Sequence, residues 1–338
     1  VVLVSLQFLF LAIAVAVAGT FLARSADQIA EITRLGRLLI GSVLLAAATS
    51  LPELTVGVSA VRQDMPDLAA GELFGSSLMN LLILAVLDLF HRSGGKMFSR
   101  ESAAHALSAT MSIAFTAIAG MAILTAPRMP ELSFLGIGIW SWGLLIAYVL
   151  GVRMIFVDQR VSARAATAAI EPDRVSQQQV QSPLWKPVVV FSGAAIVLLV
   201  TGPRLAHVAG QLADLSGLGR TFVGTSLVAI STSLPELVVS LAAMRIKAFD
   251  LVVGNVFGSN AFNMFLLLPL DAAHSGSFFA DLSPSHGVTA LAVILATAVA
   301  TLGQLYHVEK RRRLVEPDAL LMILILVTAL FLIYRLAH

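Results

Sequence analysis

Cysteine is absent from this chain, and charge is scarce: only 12% of its 338 residues are Asp, Glu, Lys or Arg. The first absence excludes disulfides, thiolate metal centres and cysteine nucleophiles. The second excludes an ordinary soluble domain, where about a quarter of residues are charged. The net charge of +2 is too small to argue for a nucleic-acid partner. No histidine falls within the two repeated segments described below, which argues against a histidine proton relay there. What fills the chain instead is apolar: 58% hydrophobic residues and a mean hydropathy of +0.89. This is the composition of an all-α polytopic membrane protein.

Ten segments reach the roughly 20 apolar residues needed to cross the hydrocarbon. They are expected at 3–23, 38–61, 68–90, 104–125, 132–152, 187–210, 221–244, 251–272, 287–306 and 318–336. The first is too long for a cleaved signal peptide. With an outside N-terminus, 17 of the 22 Lys and Arg residues fall in cytoplasmic connections and five outside. That bias predicts both termini on the outer face. The polar stretch 153–186 reads as a solvated cytoplasmic linker between residues 1–152 and 187–338.

Two pentapeptides stand out inside the apolar runs: Thr49-Ser50-Leu51-Pro52-Glu53 and Thr232-Ser233-Leu234-Pro235-Glu236. An ionised carboxylate at the bilayer centre costs about 2.5 to 3.5 kcal/mol even on lenient insertion scales, so a buried acid there needs a functional reason. The proline before each acid removes a backbone donor and breaks the helix, which is tolerated only where protein or a hydrated cavity satisfies the freed carbonyl. The offset of 183 between Glu53 and Glu236 also pairs, without a gap, Gly41 with Gly224, Asp67 with Asp250, Gly71 with Gly254, Gly75 with Gly258, Ser76 with Ser259, Asn80 with Asn263 and Asp88 with Asp271. The segments 37–90 and 220–273 are therefore a duplication. Five spans per half, an odd number, make it an inverted repeat, the plan of many secondary transporters. The glycines read as helix-packing positions. Asp88 and Asp271, at expected helix ends, read as solvated interfacial acids.

The segments TSLPE with GELFGSSLMN, and TSLPE with GNVFGSNAFN, resemble the alpha-1 and alpha-2 repeats of the sodium/calcium exchanger family within the cation/calcium antiporter superfamily. The resemblance implies ten helices in two inverted five-helix repeats, with Na+ and Ca2+ as transported ions and no organic cofactor. It implies Glu53 and Glu236 as central calcium ligands, and the Ala46 and Ala229 carbonyls with Thr49, Ser50, Thr232 and Ser233 as flanking sodium ligands. Asn80, Asn263, Ser76 and Ser259 complete the metal set on the third and eighth helices.

The chemistry of the residues agrees. Calcium takes six to eight hard oxygens, and a site shared with sodium must offer carboxylate, amide, hydroxyl and carbonyl oxygens. Ser50, Thr49 and Ala46 lie three, four and seven residues before Glu53, near one helical face. Two ionised glutamates balance one Ca2+, two Na+ or two protons, so occupancy is mutually exclusive and exchange follows. The expected activity is Ca2+/Na+ antiport by alternating access, and an H+-coupled divalent antiporter is the alternative. A channel fits an inverted repeat less well, and no nucleophile and base lie in mid-span for an enzyme. Potassium-dependent members of the family this chain resembles carry an acid at the position of Asn263, so by that resemblance the neutral Asn80 and Asn263 disfavour potassium dependence. Glu72 stands where the second repeat has Asn255, about 12 Å along its helix from Asn80, and is expected in the outer vestibule. The expected partners are the lipid bilayer and the transported cations, with a monomer in a prokaryotic plasma membrane.

Overall fold

The computed structural model describes residues 2–90, 102–129, 132–168, 183–215, 231–305 and 317–337. Among these described residues its regular structure is helical apart from one hairpin of two two-residue strands. Helix α1 spans Val2–Thr33, and α2 is a short Arg37–Leu39 segment that runs through a π-helical Ile40–Leu45 into α3, Ala46–Thr49. Then follow α4 Leu51–Val61, α5 Pro66–Phe90, α6 Ser102–Thr125, α7 Ile139–Ala168, α8 Trp185–Leu215, α9 Leu234–Arg245, α10 Phe249–Ala273, the short α11 Phe278–Asp281, α12 Ser285–Leu305 and α13 Pro317–Ala337.

Seven of these helices are long and apolar enough to cross a bilayer, and the bent pair Arg37–Thr49 and Leu51–Val61 makes an eighth crossing. The first half of the expected seventh crossing lies outside the described residues. The tenth corresponds to α13, whose apolar stretch is Leu320–Ala329. Large apolar side chains stay exposed along the outer helices, among them Phe10, Ile196 and Phe331, as a lipid-facing surface requires.

Three details depart from the sequence reading. Helix α1 continues ten residues past its expected end, and Arg37 folds back onto Asp27 (2.5 Å) and Glu31 (3.1 Å) on that extension. The fifth crossing begins at Ile139 rather than 132, because Ser133–Phe134 and Ile137–Gly138 pair as antiparallel strands. Leu135 (φ 55°) and Gly136 (φ 76°) make the two-residue turn, whose left-handed backbone is the geometry tight hairpins need. At its other end α7 runs to Ala168, so the start of the expected solvated linker is helix.

The third departure concerns Asp88 and Asp271, which are buried at 5% and 3% exposure rather than solvated. Asp271 Oδ2 accepts hydrogen bonds from the Gly138 amide (2.9 Å) and the Ser141 hydroxyl (2.5 Å). The hairpin thus delivers donors that replace water around this acid.

The duplication reappears as contacts. Asp67 on α5 meets His286 on α12 at 3.0 Å, and Asp250, its equivalent on α10, meets His105 on α6 at 2.8 Å. The turns entering α5 and α10 both place a non-glycine residue in the left-handed region, Asp64 at φ 57° and Lys247 at φ 59°, again 183 apart. Helix α1 packs on α9 and α8 packs on α4. The first helix of each half therefore covers the proline-broken segment of the other.

The site is framed by a close crossing of the π-helical segment with α10. A Cβ on Gly258 would sit 2.4 Å from the Ser42 backbone, and one on Gly254 2.8 Å from the Leu38 carbonyl oxygen. Gly41 meets the Leu251 backbone from the other side. Only glycine permits main chains to approach this closely. The π-turn was not foreseen from sequence; it is closed by a bond from the Ala46 amide to the Gly41 carbonyl.

Candidate functional site

Each TSLPE segment breaks its helix in the same way. Pro52 has no N–H to offer the carbonyl four residues back, so the helix stops at Thr49 and restarts at Leu51. Ser50 takes φ −91°, ψ 7° at the break, and the two pieces meet at 42°. Ser233 repeats this with φ −84°, ψ 5° before α9. Glu53 and Glu236 consequently fall in the first turn of a helix. There the unpaired amides and the helix dipole favour negative charge by about 0.3 to 1 kcal/mol, more when buried.

The break brings the polar residues of both halves together. Glu53, Glu236, Asn80, Asn263, Thr49, Ser50, Thr232, Ser233, Ser76 and Ser259 are all buried, none above 3% exposure. Ser76 donates to Glu53 Oε1 at 3.1 Å. Thr49 Oγ1 lies 3.3 Å from Ser259 Oγ and 3.4 Å from Asn255 Oδ1, linking the halves, and its one proton goes either to Asn255 Oδ1 or to the Ala46 carbonyl. It also lies beside the Glu236 carboxylate, short of a full hydrogen bond.

The two asparagines are held alike. Asn80 Nδ2 donates to Asn260 Oδ1 at 3.0 Å, and Asn263 Nδ2 donates to the Leu73 carbonyl and Ser77 Oγ, both at 3.4 Å. Because 77 and 260 are themselves 183 apart, the pairs Asn80–Asn260 and Asn263–Ser77 are equivalent. With the amide donors engaged, the Oδ1 atoms of Asn80 and Asn263 have no partner.

That condition is shared across the cluster. Ser50 Oγ, Ser233 Oγ, Glu53 Oε2 and both Glu236 carboxylate oxygens are buried without a hydrogen bond. Leaving a buried polar atom unsatisfied costs about 1 to 3 kcal/mol, so native proteins rarely collect several in one place. Here they come from both halves, nearly all are oxygens that can face a cation, and no Lys or Arg pairs with either glutamate among the described residues. No three His, Asp or Glu side chains converge in metal-binding geometry among the described residues. The donor set is mixed carboxylate, amide and hydroxyl, as hard cations accept.

Three further sequence-predicted positions differ in standing. The Ala46 carbonyl already accepts from the Ser50 amide (3.0 Å) and lies 3.2 Å from Thr49 Oγ1, so it is freest to face an ion when the threonine proton points to Asn255 instead. Ala229 lies outside the described residues. Glu72 is not an open vestibule group in this conformation, because both of its carboxylate oxygens are buried and unpartnered. Sequence reasoning overlooked Ser77 and Asn260, which orient the asparagines. Their signal was present, since each is a polar residue one step past Ser76 or Ser259 on the duplicated helix.

These features define an all-helical, multi-pass membrane protein built around a polar site buried between two sequence-related halves. A family profile described as sodium/calcium exchanger protein matches residues 3–156 and 186–335, and the chain belongs to that family. It is 27% identical over 239 residues to the inner membrane protein YrbG of Escherichia coli, covering 70% of this chain and 69% of the relative. It is 46% identical to the sodium/calcium exchanger MaX1 of Methanosarcina acetivorans over 74 residues, 20% of this chain and 21% of the other. Among solved structures, the sodium-calcium exchanger NCX_Mj soaked with 10 mM Na+ and zero Ca2+ superposes with a TM-score of 0.72. That match has 21% identity and spans 98% of this chain and 99% of the other, so the fold is shared.

Proposed function

We propose that the chain is a secondary-active antiporter that exchanges Ca2+ for Na+ across the membrane by alternating access. The observation that carries this reading is the ring of buried, unpartnered oxygens contributed by both halves around Glu53 and Glu236. In this reading Glu53 and Glu236 are the central Ca2+ ligands, with the Asn80 and Asn263 carboxamide oxygens and the Ser76 and Ser259 hydroxyls beside them. Thr49, Ser50, Thr232 and Ser233 with the Ala46 and Ala229 carbonyls form flanking Na+ positions. Two negative charges accept one Ca2+ or two Na+, so binding of one ion type expels the other. Family membership and the named exchanger relatives support the same assignment.

The architecture assigned with it is ten crossings in two inverted five-helix repeats, residues 1–152 and 187–338, joined by a cytoplasmic connection. The equivalent contacts Asp67–His286 and Asp250–His105 support it, as does the charge bias toward one face. Both termini are then outside, the membrane is the prokaryotic plasma membrane, and a monomer suffices with no organic cofactor, nucleic acid or enzymatic chemistry. Because the chain has no cysteine, single cysteines placed at the loops test this topology directly. Labelling, from the periplasmic side, of a cysteine placed within residues 91–101 overturns it.

Calcium-45 uptake into proteoliposomes under an imposed Na+ gradient tests the activity. Uptake is expected for the wild type and lost in Glu53→Gln plus Glu236→Gln. Uptake that persists in the double variant sinks the site assignment. Proton coupling is the second reading, favoured by 25% identity over 230 residues to the Ca(2+)/H(+) antiporter ChaA of Bacillus subtilis. A proton gradient that drives uptake in the absence of Na+ selects it.

A further inference from the structure

Helices α1 and α8 lie against each other as well as against the broken helices they cover. At the end that the proposed topology assigns to the outer face, a groove of about 450 Å³ opens between them. Its lining is divided. Arg204 and His207, one helical turn apart on α8, and Gln7 of α1 supply the polar part, while Phe10, Leu11 and Pro203 belong to the apolar part. Phe10 is 71% exposed, so the groove opens on the surface that faces lipid.

Charge and depth together say what such a groove needs. Arg204 Nη1 donates to the Val200 carbonyl at 3.3 Å, which uses one of the five guanidinium donors. Among the described residues no acid lines the groove or pairs with Arg204. Gln211 Nε2 lies 3.1 Å from His207 Nε2. An amide nitrogen only donates, so that ring nitrogen accepts, and the neutral imidazole keeps its proton on Nδ1 for another acceptor. Arg204 stands six residues, about 9 Å, inside the expected end of the sixth crossing at residue 210. From there an arginine reaches the phosphate layer by laying its methylenes along an apolar wall. A zwitterionic headgroup would bring an ammonium beside the guanidinium, and an anionic one would not.

The groove is not written twice in the sequence. The offset of 183 carries Arg204 to Phe21, Pro203 to Thr20 and Phe10 to Gly193, and only His207 has a basic counterpart, Arg24. It is therefore a feature of one face of the molecule.

We propose that this groove binds a phospholipid of net negative charge from the outer leaflet. Its phosphate accepts hydrogen bonds from Arg204, His207 and Gln7, and an acyl chain lies along Phe10, Leu11 and Pro203. The lipid bridges the two helices that cover the broken segments of the ion site, and its binding does not depend on which ion drives exchange.

Because the chain has no cysteine, bimane on Ile13→Cys, an exposed position one turn below Phe10, reads occupancy without any transport measurement. In mixed vesicles, phosphatidylglycerol with dibrominated acyl chains is expected to quench it at about one fifth of the mole fraction that dibrominated phosphatidylcholine requires. Equal quenching by the two lipids overturns the proposal, and that result needs no groove variant to fold. Arg204→Gln plus His207→Gln is expected to abolish the preference, and a preference that survives both changes overturns it. A reporter on Leu291→Cys, exposed near the outer end of α12, is expected to show no preference. The same preference there would mean that anionic lipid gathers around the whole outer rim rather than in this groove, which also overturns it. A preference erased by millimolar inorganic phosphate would make the occupant a free anion and overturn the lipid assignment.

Discussion

The two halves of the molecule agree where α5 and α10 meet and disagree where α1 and α8 lie against the broken helices. At the centre, Asn80–Asn260 and Asn263–Ser77 are the same contact seen from either repeat. The pairs Asp67–His286 and Asp250–His105 repeat it at the ends of those helices. The outer helices follow the same offset in sequence, with Gly19 and Gly202 183 residues apart. Yet Gly202 on α8 lies against Pro52, whose ring carbons are 2.6 Å from where a Cβ would stand, while Gly19 on α1 lies against Val238 at 2.8 Å. The equivalent of Pro52 is Pro235, so the second contact is three residues, about 4.5 Å or most of a helical turn, out of step. The inner pair of helices is thus a near-symmetric frame. The asymmetry that an alternating-access carrier must invert is concentrated in the register of α1 and α8.

The largest effect that tests this comparison comes from the carboxylates. If Glu53 and Glu236 are equivalent halves of one site, Glu53→Gln and Glu236→Gln each lower Na+-driven calcium uptake by about 100-fold, roughly 3 kcal/mol. The double variant falls little further, because residues acting as a unit are not additive. Glu53→Gln can keep the Ser76 hydrogen bond, so a much milder effect there than at Glu236 would show that hydrogen bonding, rather than charge, dominates, and the halves would not be equivalent.

Next in size is the close crossing. Gly258→Ala places a methyl against the Ser42 backbone, which cannot yield. The expected cost is about 1 to 3 kcal/mol or more, as for overpacked cores. Gly71→Ala meets the edge of the His286 ring at 3.2 Å, a side chain that can shift. Thermal unfolding in detergent should therefore show a clear drop for Gly258→Ala and little change for Gly71→Ala. Equal drops would mean that the α10 crossing is not the tighter of the two.

The sequence made the central site legible because its signals are local and doubled: a proline before an acid, hydroxyls on the preceding turn, and a fixed offset that repeats every one of them. Burial could also be read, since an acid in mid-membrane has few alternatives. Features that depend on meeting another element were not legible. The Gly41–Gly258 crossing requires the π-turn at Ile40–Leu45, which no periodicity announces. Asp271 reads as an interfacial acid until the hairpin ending at Gly138 supplies its donors. Asn260 and Ser77 look like helix filler until each is seen to hold the asparagine of the other half. Hydropathy placed most crossings, yet it counted Leu132 to Gly138 as membrane because a tight apolar hairpin and the start of a helix have the same composition.

The register difference between α1 and α8 gives a more modest prediction. A methyl at Gly202 presses on the rigid Pro52 ring, whereas one at Gly19 presses on the end of a valine that can rotate. Gly202→Ala should disfavour this conformation by about 1 kcal/mol, a five- to tenfold shift in the populations of the two access states. Gly19→Ala should shift them less, and in the opposite state, with Gly19 facing Pro235, the penalties should exchange. Accessibility of single cysteines introduced on either side of Pro52 and Pro235 reads the populations. If the two glycine variants shift them equally and in the same sense, the register difference is not what distinguishes the two states.

The smallest effect lies at the symmetric centre. Asn260 accepts from Asn80 and donates to the Ser77 carbonyl at 3.2 Å, while Ser77 Oγ receives only a long 3.4 Å bond from Asn263. Removing Asn260 frees the Asn80 amide to turn its nitrogen toward the cavity, replacing an acceptor with a donor where a cation should sit. Asn260→Ala should weaken calcium affinity by about 1 kcal/mol, near fivefold, and Ser77→Ala by less than half of that, because Asn263 keeps its bond to the Leu73 carbonyl. Isothermal titration of calcium into each purified variant separates the two. Equal losses would mean that the asparagine oxygens are oriented by the cation itself rather than by their neighbours across the repeat, and the symmetry at the centre would then be a packing feature with no part in ion binding.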